Sequence, residues 1–113
     1  MSKSFKSKRV KANQSWQIGI VVAEFNHAIT SKLAEGALLG LKSMGLPEKN
    51  VRVIDVPGAV EIPLASKWLL ESGYDAVIAL GAVIRGETPH FDYVCRSVER
   101  GCSQLNLDFG KPV

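Results

Sequence analysis

A chain of 113 residues is one domain's worth of sequence, enough for a single modest core. Hydrophobic residues make up 46% and charged residues 22%, which argues against disordered and fibrous classes, and no apolar run approaches the ~20 residues that cross a bilayer. The formal charge of +3 belongs to one end: Lys3, Lys6, Lys8, Arg9 and Lys11 precede position 16 with no acid among them, whereas the remainder holds nine basic against eleven acidic residues, a net of −2.

Residues 1–15 therefore read as a basic, flexible tail ahead of an α/β domain over 16–113. A solvated arm is one reading of the tail, and contact with nucleic acid or an acidic cargo is the other. Without aromatic interleaving beyond Phe5 the nucleic-acid reading is weak. No apolar segment of a secretory signal is present, though Ser and Lys without acids is also the composition of a short organellar address.

From Trp16 to Ala23 runs a nearly continuous, β-branched apolar stretch, as expected of a parallel strand covered on both faces. Ile29, Leu33, Ala37, Leu41 and Met44 then recur at helical spacing, predicting an amphipathic helix whose inward stripe they form, stopped by Gly45 and Pro47. Val51–Val56 predicts a second strand, broken by Pro57-Gly58. A second helix follows from about Glu61 to Ser72, with Ile62, Ala65 and Leu69 inward and Gly73 ending it. Asp75–Leu80 predicts a third strand. Thr88 then offers an N-cap with Pro89 at the first helical position, and Phe91, Val94, Cys95, Val98, Cys102 and Leu105 form the inward face of a third helix. Gly101 inside that helix costs about 1 kcal/mol relative to Ala, which makes sense if another backbone approaches closely there.

Cys95 and Cys102 stand seven apart on one face of that helix, about two turns or ~10 Å, too far for a disulfide. With no nearby His they make a poor metal site. Both read as small core or interface residues in a reducing, cytoplasmic setting.

Alternating strands and helices predict a parallel sheet with helices on both faces, and ligands of such sheets bind beyond the carboxyl ends of the strands. Three loops lie at that end. In the first, Glu24-Phe25-Asn26-His27, Phe25 either stacks on a planar ring or staples the helix that Asn26 caps. In the second, Pro57-Gly58 turns the chain so that Ala59, Val60 and Glu61 open a helix with free N–H groups, and Glu61 either caps that helix or accepts from a polyol. In the third, Gly81 to His90, Gly86 permits close backbone approach, while Thr88 and the helix start offer donors suited to phosphate. Arg85 either adds charge there or pairs with an acid. His90 lies in the first helical turn, where the dipole disfavours the imidazolium and favours a neutral imidazole able to accept a proton. A closing Gly110–Val113 reads as the approach to a fourth strand.

Taken together, Phe25-Asn26, the run from Pro57 to Pro63 and the run from Gly81 to Tyr93 resemble the lumazine synthase family, over about Trp16 to Val113. The resemblance implies a flavodoxin-like three-layer α/β/α sandwich, covered here over its N-terminal two-thirds, without the last strand and the C-terminal helices. It implies condensation of 5-amino-6-(D-ribitylamino)uracil with 3,4-dihydroxy-2-butanone 4-phosphate, with no cofactor and no metal. Phe25 would stack on the pyrimidine, and Ala59, Val60 and Glu61 would hold the ribityl chain. Ala82, Val83 and Ile84 would line the pocket, Glu87 and Thr88 would receive the phosphate-bearing substrate, and His90 would shuttle protons. It also implies a homo-oligomer, a pentamer or an icosahedral shell, in which a neighbour lends an aromatic and an arginine from the C-terminal region. A second chain that carries that region is one way to supply it, and a longer form of this chain is the other. The pattern departs from the family at Val60, where a larger aromatic is usual.

Two other readings compete. A non-catalytic cage or scaffold subunit is favoured by the tail and the short C-terminal end, while intact Phe25 and His90 count against it. A generic nucleotide-binding module calls for a glycine-rich turn after the first strand, and Ala23-Glu24-Phe25-Asn26 supplies none.

Overall fold

The computed structural model describes residues 10–86 and 89–113. Three parallel strands, β1 (Ile18–Ala23), β2 (Val51–Val56) and β3 (Ala76–Leu80), form one sheet in the order β2-β1-β3. Pairing runs in step, Ile18 opposite both Val51 and Ala76 and Val22 opposite both Asp55 and Leu80. Being central, β1 is buried at every residue, which is why its sequence is apolar without alternation. The strand starts at Ile18 and not Trp16 because the Asp75 carboxylate accepts the Gln17 N–H at 2.8 Å, closing the sheet with a side chain where the ladder stops.

Side chains alternate across the pleat, and the two faces are covered unequally. Gly19, Val21 and Ala23 face one side with Ile54, Val56, Val77 and Ala79. There α2 (Ile62–Glu71) and α3 (His90–Phe109) pack together over a core that includes Ile62, Ala65, Leu69 and Leu105. On α3 the expected face holds, with Val94 and Leu105 buried and the rest of that stripe half-buried. The close approach expected at Gly101 is real, but what approaches is the side-chain ring of Pro63 at the start of α2, not another backbone.

The other face carries α1 (His27–Ser43), with Ile18 packed against Leu46 and Ala12. Here the expectation needs correcting. The residues turned inward are Thr30, Ala34, Ala37 and Leu41, while Ile29, Leu33 and Met44 of the expected stripe are exposed. Small side chains let the helix backbone sit close on the sheet, so the more hydrophobic flank stays outside, joined by exposed Leu38 and Leu39.

The segments that flank this core at the two ends of the described residues are tied down. Ala12 is buried and donates its N–H to Met44 at 2.8 Å, and Asn50 Nδ2 holds the Gln14 carbonyl at 2.7 Å. Residues 1–9 of the expected tail lie outside the described residues. After α3 the chain returns to the outer edge of β3, where Pro112 O accepts the Val77 N–H at 3.0 Å.

Candidate active site

Parallel winding delivers the three βα loops to the same end of the sheet, and hydrogen bonds knit them together. Glu24 N–H donates to Val56 O at 2.7 Å and Phe25 N–H to Pro57 O at 3.0 Å, so the first loop continues the β1–β2 ladder beyond the strands. The third loop leaves β3 through a narrow gap. A Cβ on Gly81 would stand 3.2 Å from Ile62 Cδ1 and 3.5 Å from Ala59 Cβ, so glycine lets this backbone pass beside the second loop.

A cleft of about 400 Å³ opens between these loops, within the range of small-molecule sites. Eight residues expected from the sequence line it: Phe25, Ala59, Val60, Glu61, Ala82, Val83, Ile84 and His90. The two others, Glu87 and Thr88, lie outside the described residues. Phe25 is 73% exposed, so its ring stands at the mouth and does not act as a buried staple for α1. Val60 and Ile84 are exposed apolar walls, and Val94 closes the floor.

Val94 was legible only as a core position, yet it lies one helical turn after His90 and therefore on the same side of α3. Asn26 also lines the cleft. Its backbone sits in the left-handed region at φ 65°, its carbonyl accepts from Ile29 and Thr30, and its side chain makes no capping bond to α1.

Glu61 is committed in part. Its Oε1 accepts the Gly58 N–H at 2.9 Å, clamping the Pro-Gly turn while the rest of the carboxylate keeps acceptor capacity. Arg85 pairs with an acid, as one reading had it: Nη2 lies 3.5 Å from Asp92 Oδ1, and the guanidinium stands 4.5 Å from the Phe91 ring centre. Both charged side chains are more than half exposed, so the pair adds little stability, though it orients Arg85 beside the start of α3. His90 is the first residue of α3, solvent-accessible and on the cleft wall. At that position an imidazole reaches both solvent and a bound molecule, as a general acid–base group must.

Both cysteines are free thiols, and burial raises the pKa of Cys102. Among the described residues no cluster of His, Cys, Asp or Glu is arranged to hold a metal ion, and no helix is long and apolar enough to cross a membrane.

A parallel α/β fold with a mostly apolar, loop-built cleft, lined among the described residues by His90 and Glu61, is the framework of a flavodoxin-like protein with a small-molecule site. The sequence profile of 6,7-dimethyl-8-ribityllumazine synthase matches residues 15–113, and the chain belongs to that family of transferases, which serves riboflavin biosynthesis.

Proposed function

We propose that this chain takes part in condensing 5-amino-6-(D-ribitylamino)uracil with 3,4-dihydroxy-2-butanone 4-phosphate to 6,7-dimethyl-8-ribityllumazine. The observation that carries the reading is the gathering of Phe25, the Ala59–Glu61 turn, the Ala82–Ile84 strand end and His90 around one cleft. Phe25 stacks on the pyrimidine ring, as an exposed aromatic at a cleft mouth suits. Ala59, Val60 and Glu61 hold the ribityl chain through backbone groups and the free side of the carboxylate. Ala82, Val83 and Ile84 take the edge of the heterocycle. Glu87 and Thr88 receive the phosphate-bearing substrate next to the start of α3, where a helix N-terminus favours anions.

The reaction is acid–base work on positioned partners. The 5-amino group attacks the ketone, and loss of water gives an imine. Removal of a proton next to that imine expels inorganic phosphate by β-elimination. The enol left by that elimination takes up a proton at its terminal carbon and becomes a new ketone, on which the ribityl-bearing nitrogen closes as a second water leaves. His90 moves the protons at each stage, help worth roughly 10²–10⁴-fold, and positioning supplies much of the rest.

In the same reading the chain works as a homo-oligomer in the cytoplasm, a pentamer or a larger shell, with a neighbour or a second chain completing each site. The exposed Ile29, Leu33, Leu38 and Leu39 on α1, with Met44 just after it, offer an apolar surface for such assembly. That same surface favours the second reading, a scaffold subunit that assembles without turnover.

Incubating the purified chain with both substrates and following lumazine absorbance tests the first reading, with His90→Ala as control. Product from the wild type, cut at least a hundredfold in the variant, is the expected result. Assembly on size exclusion without any product, with or without a C-terminal family segment added, would overturn it in favour of the scaffold.

A further inference from the structure

Asn26 is a residue whose identity the fold of its own loop does not explain. Its backbone is left-handed, φ 65° and ψ 45°, and glycine, asparagine and aspartate all tolerate that region. It stands at the N-cap of α1, where aspartate is at least as good as asparagine and adds a favourable charge at the positive end of the helix. What separates asparagine from both alternatives is an amide N–H₂ donor. That donor ignores the helix. Nδ2 reaches across to the Ala82 carbonyl at 2.6 Å, in a partly buried bond spanning 56 positions of sequence.

Consider what this bond holds. The first loop is already fastened to the second by Glu24–Val56 and Phe25–Pro57. Asn26 fastens it to the third, the loop that runs from the narrow gap at Gly81 toward His90. A peptide unit is planar and trans, so a fixed Ala82 carbonyl also fixes the Val83 N–H, pointing the opposite way. Ala82 and Val83 both line the cleft. The same residue sets the position of its neighbour Phe25 through the left-handed turn.

We propose that Asn26 is a positioning residue for the heterocycle: its amide locks the Ala82–Val83 peptide in the one orientation in which backbone groups of the third loop match the edge of a planar, imide-bearing ring, while its backbone holds Phe25 to the face of that ring. This rests on the substrate reading given above. The residue touches the loop and not the reacting atoms, so its loss weakens binding of the pyrimidine and leaves the chemical step alone.

The test compares wild type with Asn26→Asp and Asn26→Gly in the full chain. Both keep the left-handed backbone, but Asp sets a carboxylate against the Ala82 carbonyl and Gly leaves that carbonyl without its donor. Expected in each variant is a rise of about tenfold in KM for ribitylaminouracil, the size one neutral hydrogen bond commands, with kcat and the KM for the butanone phosphate within twofold of wild type. A second readout needs no turnover: in amide NMR the Val83 N–H should shift and exchange faster in both variants.

Unchanged KM for the pyrimidine, an unmoved Val83 signal, or a fall in kcat at constant KM each overturns the inference while the enzyme reading stands. If Asn26→Asp fails to fold, Asn26→Gly decides alone. A wild type that neither turns over nor binds ribitylaminouracil overturns the substrate reading, and this inference with it.

Discussion

Gly101 in the middle of α3 lies against the ring of Pro63 at the start of α2, so close that a Cβ on residue 101 would stand 2.6 Å from both Pro63 Cβ and Cγ. A proline ring is fixed to its backbone and cannot swing away. The helix propensity gained by Gly101→Ala, about 1 kcal/mol, therefore meets an overpacking cost of about 1–3 kcal/mol. The variant should be less stable in urea unfolding despite its better helix former. A more stable variant would show that α2 and α3 separate freely.

Glu61 holds the second loop through the Gly58 N–H. Glu61→Ala should lose roughly 0.5–2 kcal/mol of stability, as other helix-cap losses do, while Glu61→Gln keeps an acceptor oxygen and most of that stability. Thermal unfolding of the two variants side by side checks this. Equal losses in both would mean that the charge, not the hydrogen bond, matters.

Thr30 is fully buried between α1 and the sheet, and its hydroxyl has no hydrogen-bond partner. Thr30→Val keeps the shape and removes the unpaired polar atom. Stability should rise by about 1 kcal/mol, read from the urea midpoint at constant m-value. A fall instead would point to a water bound at that hydroxyl.

Burial raises the Cys102 thiol above its ordinary value of 9.0. The unfolded chain therefore releases this proton at lower pH than the folded chain does. The stability that results is full below about pH 9.0 and drains away as pH rises through the folded value. Wild type should lose stability more steeply than Cys102→Ala above that pH, and Cys102 should react slowly with thiol reagents near neutrality. Parallel pH profiles for the two proteins would refute this.

Much of the architecture was readable from local pattern. The unbroken apolar run of β1 marked it as a strand covered on both faces, and the Pro57-Gly58 and Gly73 signals placed the ends of α2 within a residue or two. The meeting of the loops was readable as well, because three loops at one end of a parallel sheet must converge, and eight of the ten residues named from the sequence line one cleft. The inward face of α1 was readable only in part. Ala37 and Leu41 face inward as expected, but hydrophobicity also pointed to Ile29 and Leu33, and because how closely a helix can seat on a sheet depends on side-chain size, Thr30 and Ala34 took the inward positions there.

By itself the sequence determined which segments become strands and helices, since period and turn chemistry act over a few residues through local sterics and hydrogen bonding. It determined too that Phe25, Glu61 and His90 would meet beyond the strand ends, since parallel crossovers leave no other arrangement. Only the tertiary structure decided that β2 is an edge, that Pro63 presses on Gly101, and that the amide of Asn26 ends on Ala82. Such pairings join residues far apart in the chain, and their partners are set by strand order and packing distance, which no local pattern encodes.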